Sequence, residues 1–125
     1  MRKIAAVGKK GEDCVAEYLR RRGFAVVKQN FHSRYGEIDI IAESGEYILF
    51  VEVKTRKAGS LTAPCEAVDI YKQRKIALTA AVYMERSFCE LQPRFDVAEV
   101  TVFENSEHGE YKINYIENAF SPEVM

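Results

Sequence analysis

Two short runs constrain this chain most: Glu37-Ile38-Asp39-Ile40-Ile41-Ala42 and Tyr47-Ile48-Leu49-Phe50-Val51-Glu52-Val53-Lys54-Thr55, separated only by Glu43-Ser44-Gly45-Glu46. Both are rich in β-branched and aromatic residues, and a four-residue connection suits a hairpin. The period of two in a strand puts Glu37, Asp39 and Ile41 on one face of the first run and Ile38 and Ile40 on the other. On the second run Phe50, Glu52, Lys54 and Arg56 share a face, with Val51 and Val53 opposite. Paired as a hairpin, the runs let Asp39 meet Glu52 and Lys54 across the ladder, at Cβ separations of roughly 5 to 8 Å.

Elements of both periods surround this hairpin. Residues 6–22 follow a helical pattern, with Cys14 or Val15, Tyr18 and Leu19 as an apolar stripe and Gly23 in place to end it. Residues 24–31 read as a strand, broken by Ser33-Arg34-Tyr35-Gly36, so three strands form an antiparallel meander. After a flexible loop over residues 57–62, Pro64 suits the first turn of a helix reaching about Arg86. Ala67, Tyr71, Leu78 and Val82 form its apolar face; Lys72, Lys75 and Thr79 lie on another. Strands at 95–103 and 111–116 follow, separated by a polar turn at 105–110. The order is αβββαββ, an α/β chain forming one domain over residues 1–120, with 121–125 expected to fray.

At 125 residues, 47% hydrophobic and 30% charged, with 7 Gly and 3 Pro, the composition excludes a disordered or fibrous chain and a second independent core. Cys14, Cys65 and Cys89 are odd in number and lack C-x-x-C spacing, and His32 and His108 stand apart. Neither a disulfide framework nor a zinc site is indicated, and a reducing cytoplasm is the expected location. The apolar stretches at 4–7 and 76–84 are too short for an export signal or a membrane span.

The net charge of −1 conceals strong segregation. Residues 1–35 carry +6, residues 36–53 carry −5, residues 54–75 carry +4 and the remainder −6. An acidic strip thus lies between two basic ones, which can attract phosphate over a Debye length of roughly 8 to 10 Å. Arg20-Arg21-Arg22 has a second reading, as compensation for the negative end of a helix.

Two or three crowded carboxylates supply hard oxygen ligands for Mg²⁺ or Mn²⁺, and such ions bind phosphate oxygens and acidify a bound water. Lys54 would add positive charge, orienting the water or stabilising charge that builds on phosphorus. The competing reading is a surface hairpin with a cross-strand Glu–Lys ion pair, worth little by itself.

The motifs Gly8-Lys9-Lys10-Gly11-Glu12, Gly36-Glu37-Ile38-Asp39-Ile40-Ile41, Phe50-Val51-Glu52-Val53-Lys54-Thr55-Arg56, Arg94-Phe95-Asp96-Val97 and Asn118-Ala119-Phe120 span nearly the whole chain. In these the chain resembles the YraN family, bacterial proteins similar to archaeal Holliday-junction resolvases. The resemblance implies a restriction-endonuclease-like PD-(D/E)XK fold, a mixed sheet flanked by helices, with Asp39, Glu52 and Lys54 as its catalytic motif. It implies that Glu12 joins Asp39 and Glu52 at the metal. It also implies a role for Lys72 and Gln73, where related nucleases place a basic or amide residue; surface solvation is the competing role for both. The expected activity is Mg²⁺- or Mn²⁺-dependent hydrolysis of DNA, in preference to RNA, at branched structures by a homodimer. The alternatives are a non-catalytic nucleic-acid-binding accessory protein and a protein-interaction module docking through the acidic last third. Lys9, Lys10, Arg34, Arg56, Lys72, Gln73 and Lys75 are the candidate nucleic-acid contacts. Where the family commonly shows Asn-aromatic-Arg, this chain has Asn30-Phe31-His32, leaving His32 and nearby Arg34 as donors. Asp96 is expected to be structural, paired with a neighbouring base.

Overall fold

The computed structural model describes residues 7–59, 68–103 and 109–122, the first four by backbone alone. Helix α1 (Val7–Arg21) is followed by strands β1 (Ala25–Ser33), β2 (Gly36–Glu43) and β3 (Tyr47–Lys57), helix α2 (Ile70–Ser87), and strands β4 (Gln92–Val102) and β5 (Tyr111–Phe120). The αβββαββ order read from the sequence is the observed one. Gly23, at φ +93°, turns the chain out of α1, and the Phe24 N–H closes on the Leu19 carbonyl at 3.0 Å.

The five strands form one open mixed sheet in the order β1-β2-β3-β4-β5. β3 and β4 are parallel, from Tyr47↔Gln92 to Lys57↔Val102, and the other neighbours are antiparallel. A parallel pair needs a long crossover, which α2 provides. Each helix covers one face. Val15, Ala16 and Leu19 of α1 pack on Ile40, Ala42, Leu49, Val51, Ala98, Val100 and Val102. Ile76 and Ala80 of α2 pack with Val68 on Phe31, Ile38, Ile41, Ile48, Phe50 and Val97. β3 is therefore buried on both faces. Each large apolar side chain buried here stabilises the fold by roughly 1.5 to 3 kcal/mol.

Three local expectations are corrected. Ile38 and Ile40 do not share a face: Ile38 and Ile41 face α2, while Ile40 and Ala42 face α1. The alternation is lost at Asp39, where the β2–β3 ladder stops at Ile40↔Val51 and Asn30, on the facing β1, takes φ +56°. Next, Val68 and Asp69 are not helical. α2 begins at Ile70, with the Asp69 side chain accepting the Lys72 N–H at 2.8 Å as N-cap. Pro64 and Ala67, the expected first turn, lie outside the described residues. Finally, the buried face of α2 is Ile76, Ala77, Thr79 and Ala80, while Tyr71 is 65% exposed. Small residues let the helix sit close to the sheet, and the buried Thr79 hydroxyl shares a 2.8 Å hydrogen bond with Ser33.

Candidate active site

The end of the ladder makes the site. Beyond Ile40↔Val51 the strands β2 and β3 splay, so the Val53 N–H has no backbone partner on β2. The Asp39 carboxylate replaces it: Oδ2 accepts that N–H at 2.8 Å. Asp39 thereby lies at the junction between the two faces of the sheet, within reach of groups from both helices. Its carboxyl is pushed up to about 7, first by burial and then by the charge of Glu52; Glu12 and Glu37 add to the rise, and the Val53 bond opposes it.

Glu52 follows Ile48 and Phe50 on the α2 face of β3 and is itself buried. Its Oε2 lies 2.6 Å from Lys72 Nζ in the first turn of α2. That contact, followed by the charges of Glu52, Asp39 and Glu37, raises the Lys72 ammonium against the opposing effect of its own burial. Lys54, two residues on from Glu52, is half-buried, and among the described residues no carboxylate is paired with its ammonium.

α1 brings Glu12 from the other face. A side chain at Gly11 would collide with Thr55 Oγ1, so this glycine allows the start of α1 to sit directly on β3 beside Lys54. Glu12 is half-buried there and close enough to disfavour ionisation of Asp39.

The matched region of known sequence covers this whole arrangement. The profile of the uncharacterised protein family UPF0102 matches residues 11–100. The chain belongs to this family. A UPF0102 protein of Caldanaerobacter subterraneus subsp. tengcongensis is 45% identical over 115 residues, covering 91% of this chain and 93% of the relative. One from Alkaliphilus metalliredigens is 42% identical over 116 residues, covering 92% and 97%. Membership of UPF0102 bears out the resemblance to YraN at the level of the family.

In this UPF0102 protein the structure brings together Asp39, Glu52, Glu12 and Lys72, while Lys54 follows two residues after Glu52 on β3. Other candidates are occupied or more distant. Arg34, in the β1–β2 turn, stacks on the Tyr35 ring and donates to its hydroxyl at 2.8 Å. Lys75 Nζ lies 4.6 Å from the centre of the Tyr71 ring, and the Gln73 amide donates to the Val68 carbonyl at 2.8 Å. Arg56 is half-buried further along β3, His32 Nδ1 is 3.8 Å from Glu37 Oε1, and the side chains of Lys9 and Lys10 lie outside the described ones. Among the described residues no helix is long and apolar enough to cross a membrane.

Sequence reasoning left one participant out of the site and did not foresee the contact of another. Glu37 acts on Asp39 through space; its position two residues earlier on the same strand was the available signal. Lys72 was expected as a nucleic-acid contact, with surface solvation as the competing role, and no local pattern in α2 reveals that the crossover carries it onto Glu52.

Among the described residues no three His, Cys, Asp or Glu side chains close into a cage for a metal. The donors nevertheless suit Mg²⁺. This ion keeps several waters and uses one or two carboxylates together with substrate phosphate, and a coupled Asp39–Glu52 pair offers hard oxygens whose repulsion a cation relieves.

Proposed function

We propose that this protein is a Mg²⁺- or Mn²⁺-dependent nuclease of the PD-(D/E)XK kind, hydrolysing phosphodiesters of DNA with branched structures as the favoured substrate. The observation that carries the reading is the Asp39–Glu52 pair at the splayed strand ends, under-supplied with donors, with Lys72 in contact with Glu52 and Lys54 two residues further along β3. The αβββαββ order and the mixed sheet agree with a restriction-endonuclease-like fold.

Asp39 and Glu52 hold the cation, and Glu12 assists from α1. When bound, the ion supplies a Lewis acid for the phosphate and a more acidic water. Lys54 Nζ donates hydrogen bonds to the phosphate oxygens on which charge builds as water adds and one phosphorus–oxygen ester bond breaks. Asp39 remains anchored by the Val53 N–H, which fixes the carboxylate relative to β3. Arg34, Arg56, Lys75 and the lysines of the first turn of α1 supply backbone contacts that set register without reading sequence.

Cleavage of labelled single-stranded, duplex, flap and four-way-junction DNA with Mg²⁺ or Mn²⁺ tests this. Asp39→Asn and Lys54→Ala each lower the rate by at least ~10²-fold. Equal cleavage by wild type and both variants identifies a contaminant and removes the reading.

A second reading, a nucleic-acid-binding accessory protein without catalysis, is favoured by one observation: Glu52 already has a cation, Lys72, at 2.6 Å. On that reading Glu52→Gln retains junction binding in a gel shift and the wild type cuts nothing.

A further inference from the structure

The shortest charge contact at the site comes from α2. Lys72 Nζ reaches Glu52 Oε2 at 2.6 Å, with the Glu52 side chain 9% exposed and that of Lys72 48% exposed. We infer that Lys72 is an exchangeable internal counter-ion: it holds Glu52 while no divalent cation is bound, yields it when one arrives, and then faces the substrate phosphate. The inference rests on reading Asp39 and Glu52 as cation ligands.

Three physical points carry it. A carboxylate as buried as Glu52, beside Asp39, needs a positive partner, and Lys72 is the described cation in contact with it. An ammonium at hydrogen-bond distance from Oε2 and a divalent ion on the same carboxylate repel each other, so occupation by one weakens the other. The lysine can leave without disturbing the fold. Its ammonium sits on a flexible stem half in solvent, whereas α2 is fixed independently by the Asp69 cap, by Ile76, Ala77 and Ala80, and by the Thr79–Ser33 bond. Arginine would hold the carboxylate through a planar fork; lysine is the better residue for a contact that must be given up. Once released, the ammonium stays at the first turn of α2 over the face of β3 that carries Glu52, where it can meet a phosphate held at the site.

The test uses the full-length chain. Mn²⁺ is titrated calorimetrically into wild type, Lys72→Met and Lys72→Arg; the backbone N–H of residue 72 that Asp69 caps is retained in all three. Lys72→Met is expected to bind Mn²⁺ about tenfold more tightly, the scale of one close charge pair, and Lys72→Arg no more tightly than wild type. Equal or weaker binding by Lys72→Met overturns the exchange and leaves the cation site standing. No binding by wild type or Lys72→Met removes the cation site and the exchange with it. Amine labelling of the wild type, quantified at Lys72 by mass spectrometry, decides the matter even if Lys72→Met does not fold. Labelling that rises several-fold at saturating Mn²⁺ supports release, and unchanged labelling overturns it.

Discussion

Asp96 on β4 and the Asp39–Glu52 pair are acidic groups drawn into the same sheet and supplied very differently with donors. Asp96 is fully buried and accepts two-pronged bonds from Arg94 (Nε to Oδ1 and Nη2 to Oδ2, both 3.0 Å), the Tyr115 hydroxyl at 2.6 Å and the Asn118 N–H at 2.8 Å. Burial, and then the bond to Asp96, push the Tyr115 hydroxyl well up, keeping it a donor. The network ties β5 to β4 at the bulge between Phe95 and Val97, which bears out the structural reading of this acid. Asp39 instead has one backbone donor and like-charged neighbours, and Glu52 has one lysine. A buried carboxylate with a full donor set is finished as structure, whereas an under-supplied pair has capacity left for a cation.

The largest break in this comparison is expected from Asp96→Ala. Losing it strands Arg94 and Tyr115 without their partner and lowers stability by about 3 to 5 kcal/mol in denaturant titration; a loss below about 1 kcal/mol would put Asp96 on a par with a surface acid. Gly11→Ala forces α1 off Thr55 and costs about 1 to 3 kcal/mol, with part of the loss recovered in Gly11→Ala/Thr55→Ala. Additive losses would locate the strain elsewhere.

The pH dependence separates the two acids further. Asp39 holds its proton up to about pH 7 in the folded protein, against an ordinary value of 3.8. Between those values the folded state binds the extra proton, so without divalent cations stability falls as pH rises from about 4 to about 7 and is flat above. Asp39→Asn flattens this slope and raises stability at pH 8 in EDTA, by on the order of 1 to 2 kcal/mol in denaturant titration after allowance for its partial exposure. A slope unchanged in Asp39→Asn would assign it to another group. The smallest effect is the control: Arg21→Ala, breaking the exposed 3.1 Å pair with Glu17, changes stability by about 0.3 kcal/mol.

Much of the fold was legible because it is local. Glycine after three arginines, a four-residue loop between strand-like runs and two helical periods are each readable within a few turns or strand pairs. The Asp39–Glu52 encounter was legible for the same reason, since a tight hairpin limits the register. The start of α2 was misread because Pro64 gave a stronger local signal than the Asp69 cap. Thr79 was placed outward because hydropathy does not count the hydroxyl of Ser33.

The element order and the nearness of Asp39 to Glu52 were readable in the sequence, because both depend on spacing along the chain. That β4 runs parallel beside β3, that Asp39 sits where two strands part, and that Lys72 and Glu12 approach it from the two helices emerged with the packed fold. Those outcomes depend on how packed helices and a splayed ladder share space, which is a property of contacts distant in sequence.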